Sequence, residues 1–223
     1  MYQYEAVLFD LDGTLLNTLT DLTLAVNHTM RLYGYPTHTA EAVRAFVGNG
    51  VRKLIERALP GGAQDANMEA ALLAFKRHYT AHCDEHTQPY EGVLEALTAL
   101  HEAGVKLSVV SNKNDEAVQA LVRAYFGSLI GAAVGGRDGV PRKPAPDMPL
   151  TALAAISAAP ERALFVGDSD VDMQTAINTG MDCMLVTWGF RDAAMLAKLC
   201  PKYLVEDAAE MPSLILQPMD EQD

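Results

Sequence analysis

Cysteine is scarce in this chain: only Cys83, Cys183 and Cys200 occur among 223 residues, and no two are spaced as a pair. That argues against a disulfide framework and for reduced thiols, the usage of a cytoplasmic protein. Positive charge is also short. Lys and Arg number 17 against 29 Asp and Glu, a formal net charge of -12. A broad polyanionic partner such as DNA or RNA is therefore disfavoured. A small phosphorylated metabolite is not, because a cation and a few basic side chains can reverse the field inside one pocket. No apolar run is long enough to span a bilayer, so no membrane partner is expected. The opening residues Met1-Tyr2-Gln3-Tyr4-Glu5 lack the basic-then-apolar order of a signal peptide. Internal repeats and low-complexity tracts are absent. What remains is 49 % hydrophobic and 21 % charged residues, the composition of a globular protein with a sizeable core.

The pattern along the chain alternates. Apolar, β-rich runs lie at 6–9, 105–110, 163–166, 183–186 and, more weakly, 203–205. Helical patterns lie between them, at 91–103, 114–126 and 148–156. Alternation of this kind predicts a parallel sheet with helices on both faces. The stretch 15–87 departs from it. Leu22, Val26, Met30 and Tyr33 form one helical stripe. Leu54, Ile55, Ala58 and Leu59 form a second, and Met68, Leu72, Phe75 and Tyr79 a third. The expectation is a core domain of 1–14 and 88–223 with a helical domain, 15–87, inserted after the first strand. The last residues, 219–223, read as frayed.

Four stretches carry chemistry. The first run ends in Phe9-Asp10-Leu11-Asp12-Gly13-Thr14. A strand has a side-chain period of two, so Asp10 and Asp12 start on the same side. Adjacent carboxylates at a strand end need a partner, and a divalent cation suits them. The second run leads into Ser111-Asn112-Lys113 and then a helical pattern. Ser111 and the Asn112 amide fit either an anion site at a helix N-terminus or an ordinary turn and cap. Lys143 sits between prolines in Pro141-Arg142-Lys143-Pro144-Ala145-Pro146. It reads either as a fixed ammonium for phosphate and nucleophile or as part of a stiff, exposed connector. The fourth stretch, Gly167-Asp168-Ser169-Asp170-Val171-Asp172, places Asp168 at a strand tip and Asp172 one helical turn beyond. Asp170 reads as a helix N-terminal acid favoured by the helix dipole. All four stretches fall just past carboxyl ends of strands, where ligands bind in open parallel sheets. That shared placement favours the functional reading of the set.

These stretches resemble the four motifs of the haloacid dehalogenase superfamily of phosphohydrolases. Asp10-Leu11-Asp12-Gly13-Thr14 looks like the first, Ser111 the second, Lys143 the third and the Gly167–Asp172 stretch the fourth. An insert between the first and second motifs is similar to the helical cap of the subclass holding phosphoglycolate phosphatases, β-phosphoglucomutases and pyrophosphatases. Val47-Gly48-Asn49-Gly50, Gly135-Gly136 and Trp188-Gly189-Phe190-Arg191 look most like phosphoglycolate phosphatase. Asn17-Thr18 departs from the Asp-Ser pair usual in that group.

The resemblance implies a Rossmann-like α/β core and a Mg²⁺-dependent phosphatase acting through an aspartyl-phosphate. Asp10 would be the nucleophile and Asp12 the general acid and base, with Ser111 and Lys143 stabilising the transferring group. The implied metal ligands are the Asp10 carboxylate, the Asp12 backbone carbonyl and Asp168, with Asp172 holding a metal water or Lys143. Substrate contacts are expected from Gly13, Thr14, Ser111, Asn112 and Lys143, and from Asn49 and Arg52 in the cap. The alternatives are a pyrophosphatase, a hexose-phosphate mutase, a broad-specificity sugar phosphatase and a non-catalytic phospholigand sensor. A monomer or homodimer is expected. His78, His82 and His86, spaced by four, admit a zinc site, but the nearby Thr87 and Pro89 favour a solvated helix end. Trp188 reads as a core residue or as one packing near the active-site edge.

Overall fold

A computed structural model describes residues 2–218. The expectation for 219–223 lies outside the described residues. In chain order the elements are β1 (Ala6–Phe9), β2 (Leu16–Asn17), α1 (Leu19–Leu32), α2 (Ala40–Phe46), α3 (Gly50–Ala58), α4 (Met68–His82) and β3 (Gln88–Pro89). There follow α5 (Val93–Glu102), β4 (Lys106–Asn114), α6 (Asp115–Tyr125), β5 (Ala132–Gly136), α7 (Asp147–Ala155) and β6 (Ala163–Gly167). The chain continues with α8 (Asp170–Thr179), β7 (Asp182–Val186), α9 (Ala193–Ala197), β8 (Tyr203–Val205) and α10 (Met211–Ile215). Four short 3₁₀ turns complete the described elements. No described helix is long and apolar enough to cross a membrane.

Two compact units result. One joins the residues up to Leu15 with those from Pro89 onward; the other is Leu16–Gln88. The first is α/β. Its six strands are ordered β5-β4-β1-β6-β7-β8, and every pairing among them is parallel. β1 is wholly buried, because a central parallel strand has helices on both faces. Ala6, Leu8, Val110, Phe165, Ala176 and Leu185 belong to one packed apolar cluster.

Register decides what the sheet presents. Phe9 lies beside Val109 on one side and Val166 on the other. The Asp10 amide adds one more ladder bond, to the Val166 carbonyl at 2.9 Å. Asp10 therefore leaves the sheet level with the ends of its two neighbouring strands, and the chain then turns at Gly13, whose φ of +90° suits glycine.

The second unit is built from α1 to α4. Its buried residues include Leu22, Val26 and Met30, then Leu54, Ile55 and Ala58, then Met68, Leu72, Phe75 and Tyr79. These are the three stripes read from the sequence, apart from half-buried Tyr33 and from Leu59, which lies just past α3. A buried carboxylate ties the unit's ends together. Asp21 accepts from the His86 amide at 3.0 Å and from the Thr87 hydroxyl at 2.9 Å.

Three local expectations need correction. β5 carries Ala132-Ala133-Val134-Gly135-Gly136, with a single β-branched residue, and was not expected as a strand. Its glycines are there for fit: a Cβ on Gly135 would lie 2.3 Å from Asp115 Cα. α2 was not expected either, because it buries only Val43. Finally, β4 runs through Ser111, Asn112 and Lys113 to Asn114, pairing Asn114 with Gly136. The helix after it begins at Asp115, with the Asn114 side chain accepting the Glu116 amide. Ser111 and Asn112 are thus strand residues rather than turn or cap residues of that helix.

Candidate active site

Each side chain of the site is set by where its strand stops. Asp10 follows β1, Lys113 lies near the end of β4, Asp168 follows β6 and Asp172 sits in the first turn of α8. Lys143 arrives from the loop before α7. Its Nζ donates to Asp10 Oδ1 at 2.7 Å and to Asp172 Oδ1 at 2.8 Å. The lysine side chain is 3 % exposed, so both pairs lie out of water. The Phe165 ring lies beneath the ammonium, 5.1 Å to its centroid. Asn112 fixes the backbone of the same residue, donating Nδ2 to the Lys143 carbonyl at 3.0 Å.

Asp172 is held on its other oxygen. Its Oδ2 accepts from the Asp168 amide at 3.2 Å, the Ser169 amide at 3.1 Å and the Ser169 hydroxyl at 2.6 Å. This is a capping box at the start of α8. Asp168 Oδ2 accepts from the Phe190 amide. Glycine is required on two sides of Asp168. A Cβ on Gly13 would fall 2.4 Å from Asp168 Oδ2, and one on Gly189 would fall 2.3 Å from Asp168 Cβ. Carboxylate oxygens of Asp10, Asp168 and Asp172 all lie within 4.8 Å of one another.

Asp12 faces a different cation. Lys113 Nζ donates to Asp12 Oδ1 at 2.7 Å, with side-chain exposures of 3 % and 14 %. Ser111 is buried, and its hydroxyl oxygen accepts from the Lys113 amide at 3.3 Å. The Thr14 carbonyl accepts from Trp188 Nε1 at 3.0 Å. The Thr14 hydroxyl is buried and has no hydrogen-bond partner among the described residues.

Burial governs the titration of the cluster. Desolvation raises Asp10 to about 7; Asp172 and Asp12 add to the rise, and Lys143 opposes it. Asp168 is raised well above the usual carboxylate range, first by burial and then by Asp172 and Asp10. Lys143 is raised because its two carboxylates outweigh its own desolvation. The shifts on Asp10 and Lys143 pull against each other, since a protonated Asp10 would not hold the lysine. The direction that stands for Asp10 and Asp168 is upward, because burial disfavours their charged forms and the neighbouring carboxylates add to it. A second positive charge among them would reverse it.

The residues expected from the sequence sort as follows. Asp10, Lys143, Asp168 and Asp172 converge, and Asp12, Gly13, Thr14, Ser111 and Asn112 lie in the same unit. Asn49 and Arg52 belong to the other unit, and both are engaged within it. Arg52 makes a two-pronged contact with Glu69 at 2.7 and 2.9 Å, and Asn49 accepts from Arg57 at 2.8 Å. Asp170 sits in the first turn of α8 and pairs with Arg191 at 3.5 Å. The three histidines do not share a helix face: α4 stops at His82, and His86 bonds Asp21. His78 stacks instead on His28, at 3.8 Å between ring centroids.

Sequence reasoning missed Lys113, Phe165 and the Gly189-Phe190 backbone. A signal for Lys113 was present. On a strand that continues past Val110, Ser111 and Lys113 share a face.

Comparison with known proteins follows the same lines. The model of the haloacid dehalogenase-like hydrolase family matches residues 7–186. The chain is 35 % identical to the phosphoglycolate phosphatase of Pseudomonas putida, over 90 % of this chain and 76 % of that protein. It is 33 % identical to the phosphoglycolate phosphatase of Aquifex aeolicus, over 82 % and 85 %. Among solved structures, a candidate phosphoglycolate phosphatase from Lactobacillus delbrueckii subsp. bulgaricus superposes with a TM-score of 0.91 at 35 % identity, covering 98 % of this chain and 100 % of that one. A predicted phosphoglycolate phosphatase from Haemophilus somnus superposes with a TM-score of 0.88 at 28 % identity, covering 96 % and 99 %.

Proposed function

The chain belongs to the haloacid dehalogenase-like hydrolase family, and from that premise we propose that it hydrolyses a small phosphate monoester, phosphoglycolate foremost, through a covalent intermediate on Asp10. One observation carries the reading. Three carboxylates from two distant parts of the chain meet within 4.8 Å, and an ammonium among them bonds Asp10 and Asp172. Such a cluster is costly to bury for structure alone. It fits a site that receives further positive charge together with a phosphate.

The donor set suits Mg²⁺, which prefers hard carboxylate oxygens. Formal charge agrees: Asp10, Asp168 and Asp172 are three negatives and Lys143 one positive, leaving two negatives for a divalent ion. Asp10 and Asp168 would hold it. Asp172 is better placed to hold Lys143, because its two oxygens are already engaged by that ammonium and by the start of α8. When bound, the ion supplies positive charge to the phosphoryl oxygens and lowers the carboxylate pKa values.

The protein's own residues do the rest. An Asp10 carboxylate oxygen attacks phosphorus, the bond from phosphorus to the leaving oxygen breaks, and Asp12 gives that oxygen a proton. Water then attacks the acyl phosphate, Asp12 takes its proton, and inorganic phosphate leaves with Asp10 restored. Lys143 holds the Asp10 carboxylate at a fixed angle and offsets charge on the transferring group. The Thr14 and Ser111 hydroxyls, buried in the same unit as these acids, are the groups that would bond phosphate oxygens. The catalytic acid distinguishes this reading from dehalogenation, since halide leaves without a proton.

A panel of phosphorylated metabolites tests it. With Mg²⁺ present, kcat/KM for phosphoglycolate is expected to exceed that for pyrophosphate and hexose phosphates by at least about 100-fold, a difference that polar contacts to a small substrate can supply. A flat profile across the panel would remove the phosphoglycolate assignment.

A further inference from the structure

We propose that Lys113 is the residue that selects the substrate's leaving group, by receiving a negative charge carried close to the scissile oxygen. The inference rests on the phosphatase reading above and adds to it the residue that would read a carboxylate on the departing alcohol.

The two buried lysines of the site divide the labour. Lys143 is committed to the nucleophile side, closed between Asp10 and Asp172 with the Phe165 ring beneath it. Lys113 lies with the acid, its Nζ 2.7 Å from Asp12 Oδ1. Asp12 is the group that hands a proton to the leaving oxygen, so whatever is bonded to that oxygen must pass beside the Lys113 ammonium. In phosphoglycolate the carboxylate carbon is only two bonds from the leaving oxygen, within reach of the same lysine.

A buried ammonium is expensive to retain for structure alone. The cation has a clear use if a second anion arrives. A chain with net charge -12 repels a substrate that carries both phosphate and carboxylate. The cluster around Asp10 leaves no spare positive charge for the carboxylate, whereas Lys113 stands at the exit of the alcohol. Its position is also well fixed. It lies on β4, paired through Asn114 with Gly136, and its amide donates to Ser111 Oγ at 3.3 Å. The discrimination comes from charge placed at one spot on a strand and requires no change of protonation.

The test compares phosphoglycolate with its carboxamide and with ethyl phosphate, in the presence of Mg²⁺, for the unaltered protein and for Lys113→Met and Lys113→Arg. The unaltered protein is expected to favour the carboxylate over the carboxamide by about 100-fold in kcat/KM, the scale of one desolvated charge contact. Lys113→Met should collapse that ratio to within about threefold, and Lys113→Arg should keep most of it. Should Lys113→Met fail to fold, the carboxylate-to-carboxamide ratio of the unaltered protein still decides. Equal use of acid and amide by the unaltered protein overturns the inference. So does a Lys113→Met protein that is slower on all three substrates with its ratio unchanged, since that marks a role confined to Asp12. No hydrolysis of any ester by the unaltered protein would instead overturn the phosphatase reading, and this inference with it.

Discussion

Two ion pairs of equal length separate the two units of this molecule. In the α/β unit Lys143 and Asp10 meet at 2.7 Å with side-chain exposures of 3 % and 12 %. In the helical unit Arg52 and Glu69 meet at 2.7 Å with exposures of 55 % and 74 %. Distance does not tell them apart; surroundings do. The first pair sits among further buried carboxylates, where each charge acts strongly on its neighbours. The second is screened by water and salt. The buried charges around Asp10 are therefore expected to set rate, stability and pH dependence, and the exposed Arg52–Glu69 pair to set none of them strongly.

The largest effect that would break this contrast is on turnover. Asp10→Asn keeps the shape of the side chain and removes the nucleophile, so kcat for phosphoglycolate should fall by at least about 10,000-fold. The folded structure should be retained, since a carboxylate raised by burial gives way to a neutral amide. Steady-state assay beside a circular dichroism spectrum checks both parts. A variant with near-normal rate would refute the proposed chemistry.

Next comes Lys143→Met. It strips the counter-charge from Asp10 and Asp172. Removal of one partner from a buried pair typically costs about 3–5 kcal/mol, so thermal unfolding without metal should shift down markedly and activity should be lost. Gly189→Ala should be milder. Its new methyl group would fall 2.3 Å from Asp168 Cβ and 2.5 Å from the Gly13 carbonyl oxygen, so Asp168 must move. Overpacking of that kind costs about 1–3 kcal/mol, and metal affinity measured by calorimetry should weaken alongside stability.

The pH dependence follows from the raised carboxylates. Asp10 is pushed up to about 7 by burial and by its acidic neighbours, and Asp168 is raised in the same sense. In the unfolded chain both ionise near about 4. Between those values the folded state binds more protons, so metal-free protein should lose stability as pH rises from about 4 through about 7. Differential scanning calorimetry across that window should show a falling Tm, and saturating Mg²⁺ should flatten the slope. The smallest expected effect lies in the helical unit. Glu69→Gln breaks the exposed pair with Arg52 and should leave the metal-free Tm and its pH slope unchanged. A clear drop in Tm would erase the contrast between the two pairs.

Legibility from sequence followed burial and spacing. The central strands were readable because buried parallel strands are continuous apolar runs, as in Ala6-Val7-Leu8-Phe9. The three long helices of the inserted unit were readable from their stripes. β5 was not, because Gly135 and Gly136 are dictated by close approach to Asp115, Asn112 and Arg142, which only tertiary structure brings near. The extension of β4 past Val110 was hidden because Ser111-Asn112-Lys113-Asn114 has turn-like composition. Its strand state comes from pairing with β5. That same error concealed Lys113. The acids of the site were legible as strand-end residues, and the resemblance offered Lys143 as one of two partners for Asp172, but nothing in the sequence showed that Asn112 would fix the Lys143 backbone, or that the Phe190 amide would hold Asp168. Those contacts depend on loops returning to the sheet edge.

The central claim is that Asp10 becomes covalently phosphorylated during turnover. Acid quenching of the Mg²⁺-loaded protein a few milliseconds after mixing with phosphoglycolate radiolabelled at phosphorus, followed by peptide mapping, tests it directly. The account predicts hydroxylamine-labile label on the peptide that carries Asp10, and none in Asp10→Asn. Hydrolysis that proceeds with no trapped label, or with label on another residue, would contradict it.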